Sequence, residues 1–148
     1  MLYVDTVNIQ SVTDPNGDDV LNYVFISSNW TDDQSPTESP TGPDGKKTFI
    51  TDVKSNSLIS WVGAVQDIVH NRNDYVLIKN IELVSDGIGI QVKNDVNQRS
   101  QGSGDTHIDG KVLPTARKGS TTYKISFSVG RGTEIIGDYS IDPQLKMK

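Results

Sequence analysis

The sequence has 148 residues, no cysteine and a formal net charge of −5. This length fits a single domain covering residues 1–148. Without cysteine the chain has no disulfide, no cysteine-ligated metal and no thiol nucleophile. Its acidic balance argues against nucleic acid as a partner, because such binding depends on Lys and Arg neutralising phosphates. No apolar run approaches the roughly 20 residues of a membrane span, so we expect no membrane partner either.

The N-terminal stretch MLYVDTVNIQSV alternates imperfectly between apolar and polar residues, which predicts extended structure over residues 1–12. It has no basic segment followed by a continuous apolar run, so it does not resemble a signal peptide. We therefore expect a cytoplasmic location, with export by a non-classical route as the alternative.

The next segments alternate between turn and strand patterns. DPNGDD, at residues 14–19, combines the residue types that form tight turns. VLNYVFISS, Val20–Ser28, is a short apolar run that predicts a buried strand. Residues 29–47 contain three prolines and only one large apolar residue, Trp30. They predict a long polar loop.

Strand patterns dominate the middle of the chain. Thr48–Val53, the NSLISWVGAV stretch, the NDYVLIKNIELVS stretch (Asn73–Ser85) and GIGIQV each predict a strand. Trp61 lies within an apolar alternation and is predicted to be in the core. The stretch VGAVQDIVHNRN could hold a turn or two of helix. Residues 94–111 are polar and glycine-rich, and they predict a second long loop.

The C-terminal stretch TTYKISFSVGRGTEIIGDYSIDPQL has the pattern of a hairpin. Tyr123, Ile125, Phe127 and Val129 fall on one face of a strand, and GRG predicts the turn. Pro143 cannot donate to a ladder, so the chain is expected to leave the sheet or become an edge there. About eight short strands without helical periodicity predict an all-β antiparallel sandwich of jelly-roll type with long polar loops.

Candidate ligand-binding residues lie in the two predicted loops. An aromatic face covers the apolar side of a sugar ring while carboxylates and amides bind its hydroxyls, so a carbohydrate site is one interpretation. The candidates are Trp30, Asp32, Asp33, Asp105, His107 and Asp109. If residues 105–109 were a strand, His107 and the two aspartates would share one face and could bind a metal.

The acidic turn is a second candidate site. Asp14, Asn16, Asp18 and Asp19 offer oxygen ligands suited to calcium, and Asp32 or Asp33 of the next loop could join them. Gly17 is misplaced for an EF-hand, so the alternative is a turn bonded to its own backbone. No serine lies in a G-x-S-x-G elbow and no phosphate loop is present, so no catalytic residue is predicted.

The C-terminal residues carry a family resemblance. The segment KGSTTYKISFSV…GDYSIDPQLKM resembles the closing segment of the PixA/AidA family of bacterial inclusion body proteins. The matching positions are Lys118, Gly119, Thr121, Thr122, Tyr123, Tyr139, Asp142 and Pro143. NYVFISS and SLISWVG resemble two further strands of that family. The resemblance implies a β-sandwich and a cytoplasmic protein, and it supplies no active site.

Three functions follow as hypotheses. The first is a non-enzymatic binding and assembly protein, a homo-oligomer that recognises a glycan through its polar loops, with calcium as a candidate cofactor. The second is a structural or storage protein that forms oligomers or inclusions without a small-molecule ligand. The third, a small hydrolase, is the least favoured because no nucleophile and base have a recognisable spacing.

Overall fold

The computed structural model of the chain describes residues 1–27, 37–39, 48–98 and 106–148, and for residues 37–39, 95–98 and 106 it describes the backbone alone. The described residues form eleven strands and two 3₁₀ helices, Asn8–Ser11 and Asp18–Tyr23. The strands are β1 (Leu2–Val4), β2 (Val24–Ile26), β3 (Thr37–Ser39), β4 (Thr48–Asp52), β5 (Leu58–Val65), β6 (Asp74–Asp86), β7 (Ile90–Gln98), β8 (Thr106–Val112), β9 (Gly119–Arg131), β10 (Glu134–Ile141) and β11 (Gln144–Met147).

The strands form two sheets packed as a sandwich. The five-stranded sheet has the order β2-β1-β5-β8-β7. The six-stranded sheet has the order β10-β9-β11-β4-β3, and β6 also pairs with β9. The predicted all-β sandwich is confirmed, with one correction. Both sheets are mixed, because β1 runs parallel to β5 and β11 runs parallel to β4.

The core lies between the sheets, where alternate residues of each strand point inward. Trp61 of β5 is only 7% exposed and packs against Tyr123 of β9, with ring centroids 5.6 Å apart. The predicted core position of Trp61 is therefore confirmed. Phe127 of β9 stacks on Tyr139 of β10 at 5.7 Å. Burial raises the pKa of the Tyr123 hydroxyl to about 12, so this group stays neutral in the core.

The N-terminal segments contain less strand than the sequence predicts. β1 ends at Val4, because the Asp5 side chain accepts hydrogen bonds from the Asn8 backbone N–H and the Asn8 amide. The Ile9 backbone N–H also bonds the Asp5 carbonyl, which turns the chain into the first 3₁₀ helix. The run predicted as a strand from Val20 begins within the second 3₁₀ helix, and among its described residues Val24–Ile26 form the strand.

The second predicted long loop is wrong over most of its length. β7 continues to Gln98, and β8 begins at Thr106. Ile108, Gly110 and Val112 form the buried side of β8, while the polar residues between them point outward. The outward polar residues make the segment look like a loop in sequence. Residues 66–70 also form turns, so the expected turn or two of helix is absent there.

The C-terminal hairpin is confirmed, and its ending differs from the prediction. Glu134 pairs with Arg131, so the turn consists of Gly132, with a φ of 61°, and Thr133, while Gly130 and Arg131 of the predicted GRG turn belong to β9. Beyond β10 the chain continues as β11, between β9 and β4. Ile141 faces Ile125 and Gln144 faces Thr122, so β10 and β11 keep one register along β9. Pro143 interrupts the ladder without ending it.

Candidate functional site

The acidic turn is occupied by contacts of its own. The Asp14 side chain accepts a hydrogen bond from the Asn16 backbone N–H, and the Gly17 N–H bonds the Asp14 carbonyl. The Asn16 amide oxygen accepts a hydrogen bond from the Ser140 hydroxyl at 2.7 Å, which ties the turn to β10. Asp18 and Asp19 begin the second 3₁₀ helix. The alternative interpretation, a turn bonded to its own backbone, describes Asp14 and Asn16.

The predicted ligand-binding residues divide into two groups. Trp30, Asp32, Asp33 and Asp105 lie outside the described residues. His107 and Asp109 lie on β8, where Ile108 between them is fully buried. Because successive residues of a strand point to opposite faces, both side chains point away from the core. Across the described ranges, no group of three or more His, Asp or Glu side chains could hold a metal ion.

Asp109 belongs to one of two neighbouring cross-strand rows on the outer side of the five-stranded sheet. In the first row, β8 pairs Asp109 with Ser60 of β5 and with Lys93 of β7. In the second row, β8 pairs Lys111 with Leu58 of β5 and with Gln91 of β7. Side chains directly opposite each other have Cβ atoms about 5 Å apart. We call these six outward side chains the β8 face: Leu58, Ser60, Gln91, Lys93, Asp109 and Lys111.

The β8 face lines a surface depression of about 470 Å³. All six side chains contribute to it, together with Ile59 and Gly110. This volume lies within the range of roughly 300–1,000 Å³ that small-molecule sites occupy. Gly110 forms the floor, because the Trp61 ring lies directly behind it on the core side. The depression is therefore a shaped surface supported by the core.

The charged groups of the β8 face are not used to hold the fold together. Within the part of the chain that is described, neither Lys93 nor Lys111 forms an ion pair. Asp109 is 48% exposed, and its Oδ2 atom lies 3.8 Å from the Nε2 atom of His107. His107 is 21% exposed and its Nδ1 atom is buried without a described partner. The face presents two ammonium groups and one carboxylate to solvent.

Charged side chains of the six-stranded sheet behave differently. Asp74 accepts hydrogen bonds from the Arg131 guanidinium at 2.7 and 2.9 Å, and from the Thr6 hydroxyl at 2.6 Å. The hydrogen bonds from Arg131 have the largest effect, and together with the bond from Thr6 they hold the pKa of the Asp74 carboxyl below its ordinary value despite its burial. Asp74 thus joins the N-terminal segment to β6 and β9.

Asp86 closes the turn between β6 and β7 in a similar way. Its carboxylate accepts hydrogen bonds from the backbone N–H groups of Ile88, Gly89 and Ile90, and from the Thr121 hydroxyl. Burial raises the pKa of the Asp86 carboxyl, but these bonds together lower it below its ordinary value. Asp74 and Asp86 are therefore structural, whereas the charged groups of the β8 face line a depression and form no ion pair shorter than 3.8 Å with the described residues.

Sequence reasoning found two residues of this region and missed four polar or charged ones. The sequence predicts His107 and Asp109, and it does not predict Ser60, Gln91, Lys93 and Lys111. The available indication was the alternation of Ile108, Gly110 and Val112, which predicts a strand once the polar residues are assigned to one face. The partners on β5 and β7 depend on strand register, which spacing along the chain does not reveal.

The comparisons with known proteins agree with this architecture. No protein-family model matches the sequence, and no curated protein matches it. Among solved structures, the chain is similar to the inclusion body protein PixA from Burkholderia cenocepacia J2315, with a TM-score of 0.67 and 13% sequence identity. The match covers 99% of this chain and 91% of that one. The described part of the chain contains no helix with the length and hydropathy of a membrane span. The chain thus has the fold of an inclusion body protein of the PixA type, as the resemblance of its C-terminal segment implies.

Proposed function

We propose that the protein is a non-enzymatic binding protein that recognises a carbohydrate on the β8 face. The observation that carries this proposal is the depression of about 470 Å³ lined by two rows of solvent-facing side chains. Ser60, Gln91 and Asp109 supply the donors and acceptors that sugar hydroxyls require. Leu58, which is 78% exposed, supplies an apolar contact for the C–H groups of a sugar ring.

The arrangement of polar groups favours binding over catalysis. A hydrolytic site needs a nucleophile within hydrogen-bond reach of its base. Among the residues the structure describes, no serine or threonine hydroxyl bonds a histidine. His70 instead bonds Asp67 on an exposed turn, at 2.8 Å. The solved structure with the same fold is named as an inclusion body protein, which also supports a role without chemistry.

A glycan array, screened with and without calcium, tests the proposal. We expect binding that persists in a chelator, because Asp109 is the one carboxylate lining the described depression. Asp109→Asn should weaken binding by about tenfold, since hydrogen bonds to an ionised acceptor are the stronger ones. Glu82→Gln, the same change on the outer side of the other sheet, should leave it unchanged. No binding in either condition would reject the proposal. If Asp109→Asn bound the glycan as tightly as Glu82→Gln, the binding site would not be on the β8 face.

Self-assembly is a second candidate function. Large apolar side chains are exposed at several places on the surface: Leu58, Val69, Val84 and Ile135. Ile135 is 50% exposed and lies on β10, which pairs with β9 on one side. An exposed apolar residue on such a strand is a site where a second copy could add to the sheet. The solved structure with the same fold is that of an inclusion body protein, and this name also supports self-assembly.

Light scattering coupled to size exclusion tests assembly. A structural protein should give oligomers whose mass rises with concentration, and Ile135→Lys should shift the distribution toward the monomer. Val69→Lys, which places the same change on an exposed turn instead of a strand with an open edge, is the matched control. A monodisperse monomer at every concentration, together with glycan binding, would contradict the structural function.

A further inference from the structure

We propose that the ligand of the β8 face is an anionic saccharide, a sugar that carries a carboxylate, sulfate or phosphate group bound by Lys93 and Lys111. This inference rests on the proposed carbohydrate-binding function and names the class of sugar. Asp109, Gln91 and Ser60 would then bind the hydroxyl groups of the same molecule.

The first argument is the local charge. The protein as a whole carries a net charge of −5, yet the lining of the depression has two lysines and one aspartate. The lining is therefore positive by one charge on an acidic protein. A concave surface concentrates the field of its own charges, so this face attracts anions that the rest of the surface repels.

The second argument is that the lysines are available. A lysine can instead be held by a carboxylate, as Lys148 is by Asp52 at 2.9 Å. Lys93 lies opposite Asp109 in the β7–β8 register, but within the described residues no ion pair joins them. Both ammonium groups keep their three donors for a ligand. A compact ammonium group suits the oxygens of sulfate, phosphate or carboxylate as a point charge.

The third argument separates a sugar from a bare anion. Lys93 belongs to the row of Asp109, and Lys111 belongs to the row of Gln91. Asp109 repels any anionic group placed against it, whereas it accepts hydrogen bonds from neutral hydroxyls. The face thus offers positive and hydroxyl-binding positions side by side. Leu58 at the end of the second row adds the apolar contact that a bare anion does not use.

The test compares matched ligands on the 148-residue chain. Titrations would use an oligosaccharide of glucuronic acid, a sulfated and a phosphorylated glucose oligosaccharide, the corresponding neutral glucose oligosaccharide and inorganic phosphate. We expect at least one anionic saccharide to bind about tenfold or more tightly than the neutral one, because a charge-assisted contact contributes that much. Its affinity should fall with added salt. The three anionic arms identify which group the lysines bind.

Variants assign the effect to the two lysines. Lys93→Gln and Lys111→Gln should each weaken binding of the anionic saccharide by about tenfold and leave the neutral one unchanged. Lys93→Arg, which keeps the positive charge, should retain most of the affinity for the anionic saccharide. Lys79→Gln on β6 is the control for loss of one positive charge.

The possible failures are distinguishable. Equal binding of neutral and anionic saccharides, unaffected by the lysine variants, would overturn the anionic class and leave the carbohydrate function standing. Phosphate binding as tightly as the saccharides would reduce the site to an anion site and overturn the inference. Absence of binding by every saccharide would overturn both.

Discussion

Two regions of this sandwich, the two ends of β6 and the β8 face, use their charged residues in opposite ways. Around β9, Asp74 and Asp86 are bonded to partners from distant segments, and each has a lowered pKa. On the β8 face, Lys93, Lys111 and Asp109 line one depression. Among the described residues neither lysine forms an ion pair, and Asp109 has only the 3.8 Å contact to His107. The hydrogen-bonded carboxylates of Asp74 and Asp86 stabilise the fold, whereas the charged groups of the β8 face remain available to a ligand. Substitutions in the two regions should therefore separate stability from binding.

The largest effect is expected at Asp74. Its side chain is 2% exposed, and Asp74→Ala removes two bonds from Arg131 and one from Thr6. Hydrogen bonds to charged groups contribute roughly 1.5–3 kcal/mol each, and Arg131 can return to water, so we expect a loss of about 3 kcal/mol in the free energy of unfolding. Urea unfolding measures it, with Glu82→Ala as the exposed control. A loss no greater than that of the control would show that the hydrogen bonds of Asp74 do not stabilise the fold.

Gly110→Ala should have the next largest effect, because it disturbs the inner side of the same strand that carries the β8 face. A Cβ at this position would lie 2.7 Å from the Trp61 ring and 3.0 Å from the Gln91 carbonyl oxygen. The ring would have to move within a packed core, so we expect about 2 kcal/mol of destabilisation. Asp109→Ala, the preceding residue with an outward side chain, is the control and should stay within about 0.5 kcal/mol of the original chain. Equal destabilisation by Gly110→Ala and Asp109→Ala would mean that the inner and outer sides of β8 contribute equally to stability.

Asp86→Asn should cost about 1 kcal/mol, and the cost should depend on pH. The carboxylate closes a turn as an N-cap residue does, and its exposure to solvent keeps the contribution modest. Its folded-state pKa lies below the ordinary value of 3.8, so its contribution is present above that pH and is lost as the pH falls toward the folded-state pKa. Unfolding curves of both chains at about pH 7 and at about pH 3 measure the difference. A gap that widens in acid would contradict the role of the ionised carboxylate.

These comparisons also explain which parts of the molecule the sequence predicts. The run Tyr123–Val129 was predicted correctly because one buried face leaves a strict alternation along the chain. β8 was mistaken for a loop because Gly110 contributes no apolar side chain and its outward residues are polar. The continuation of the ladder past Pro143 depends on β4 accepting β11, a contact between segments far apart in sequence.

The candidate site was harder to predict than the fold. His107 and Asp109 attract attention as chemical groups, whereas Ser60 and Lys93 become neighbours of Asp109 only through the register of β5 and β7. Register is set by the pairing of whole strands and not by local spacing. The Asp74–Arg131 pair was missed for the same reason, since its members lie on β6 and at the end of β9. The C-terminal residues of the family resemblance build the hairpin, whereas the β8 face lies on the other sheet and shares with the resemblance only Leu58 and Ser60 of the SLISWVG stretch.

The smallest effect on stability is expected at the two lysines, and it is the sharpest test of the comparison. Lys93→Gln and Lys111→Gln remove ammonium groups that have no described ion pair, so each free energy of unfolding should stay within about 0.5 kcal/mol of the original. The effects of the two substitutions should add within the same margin in the double variant, because the two lysines share no described bonding partner. Chemical unfolding of the single and double variants measures this. A loss of more than about 1 kcal/mol would show that the lysines support the sheet, and any loss of ligand binding in the same variants would then be a consequence of weakened folding. Unchanged stability with weakened saccharide binding would instead assign the lysines to recognition, since a group that contributes nothing to the folded chain alone acts only when a ligand is present.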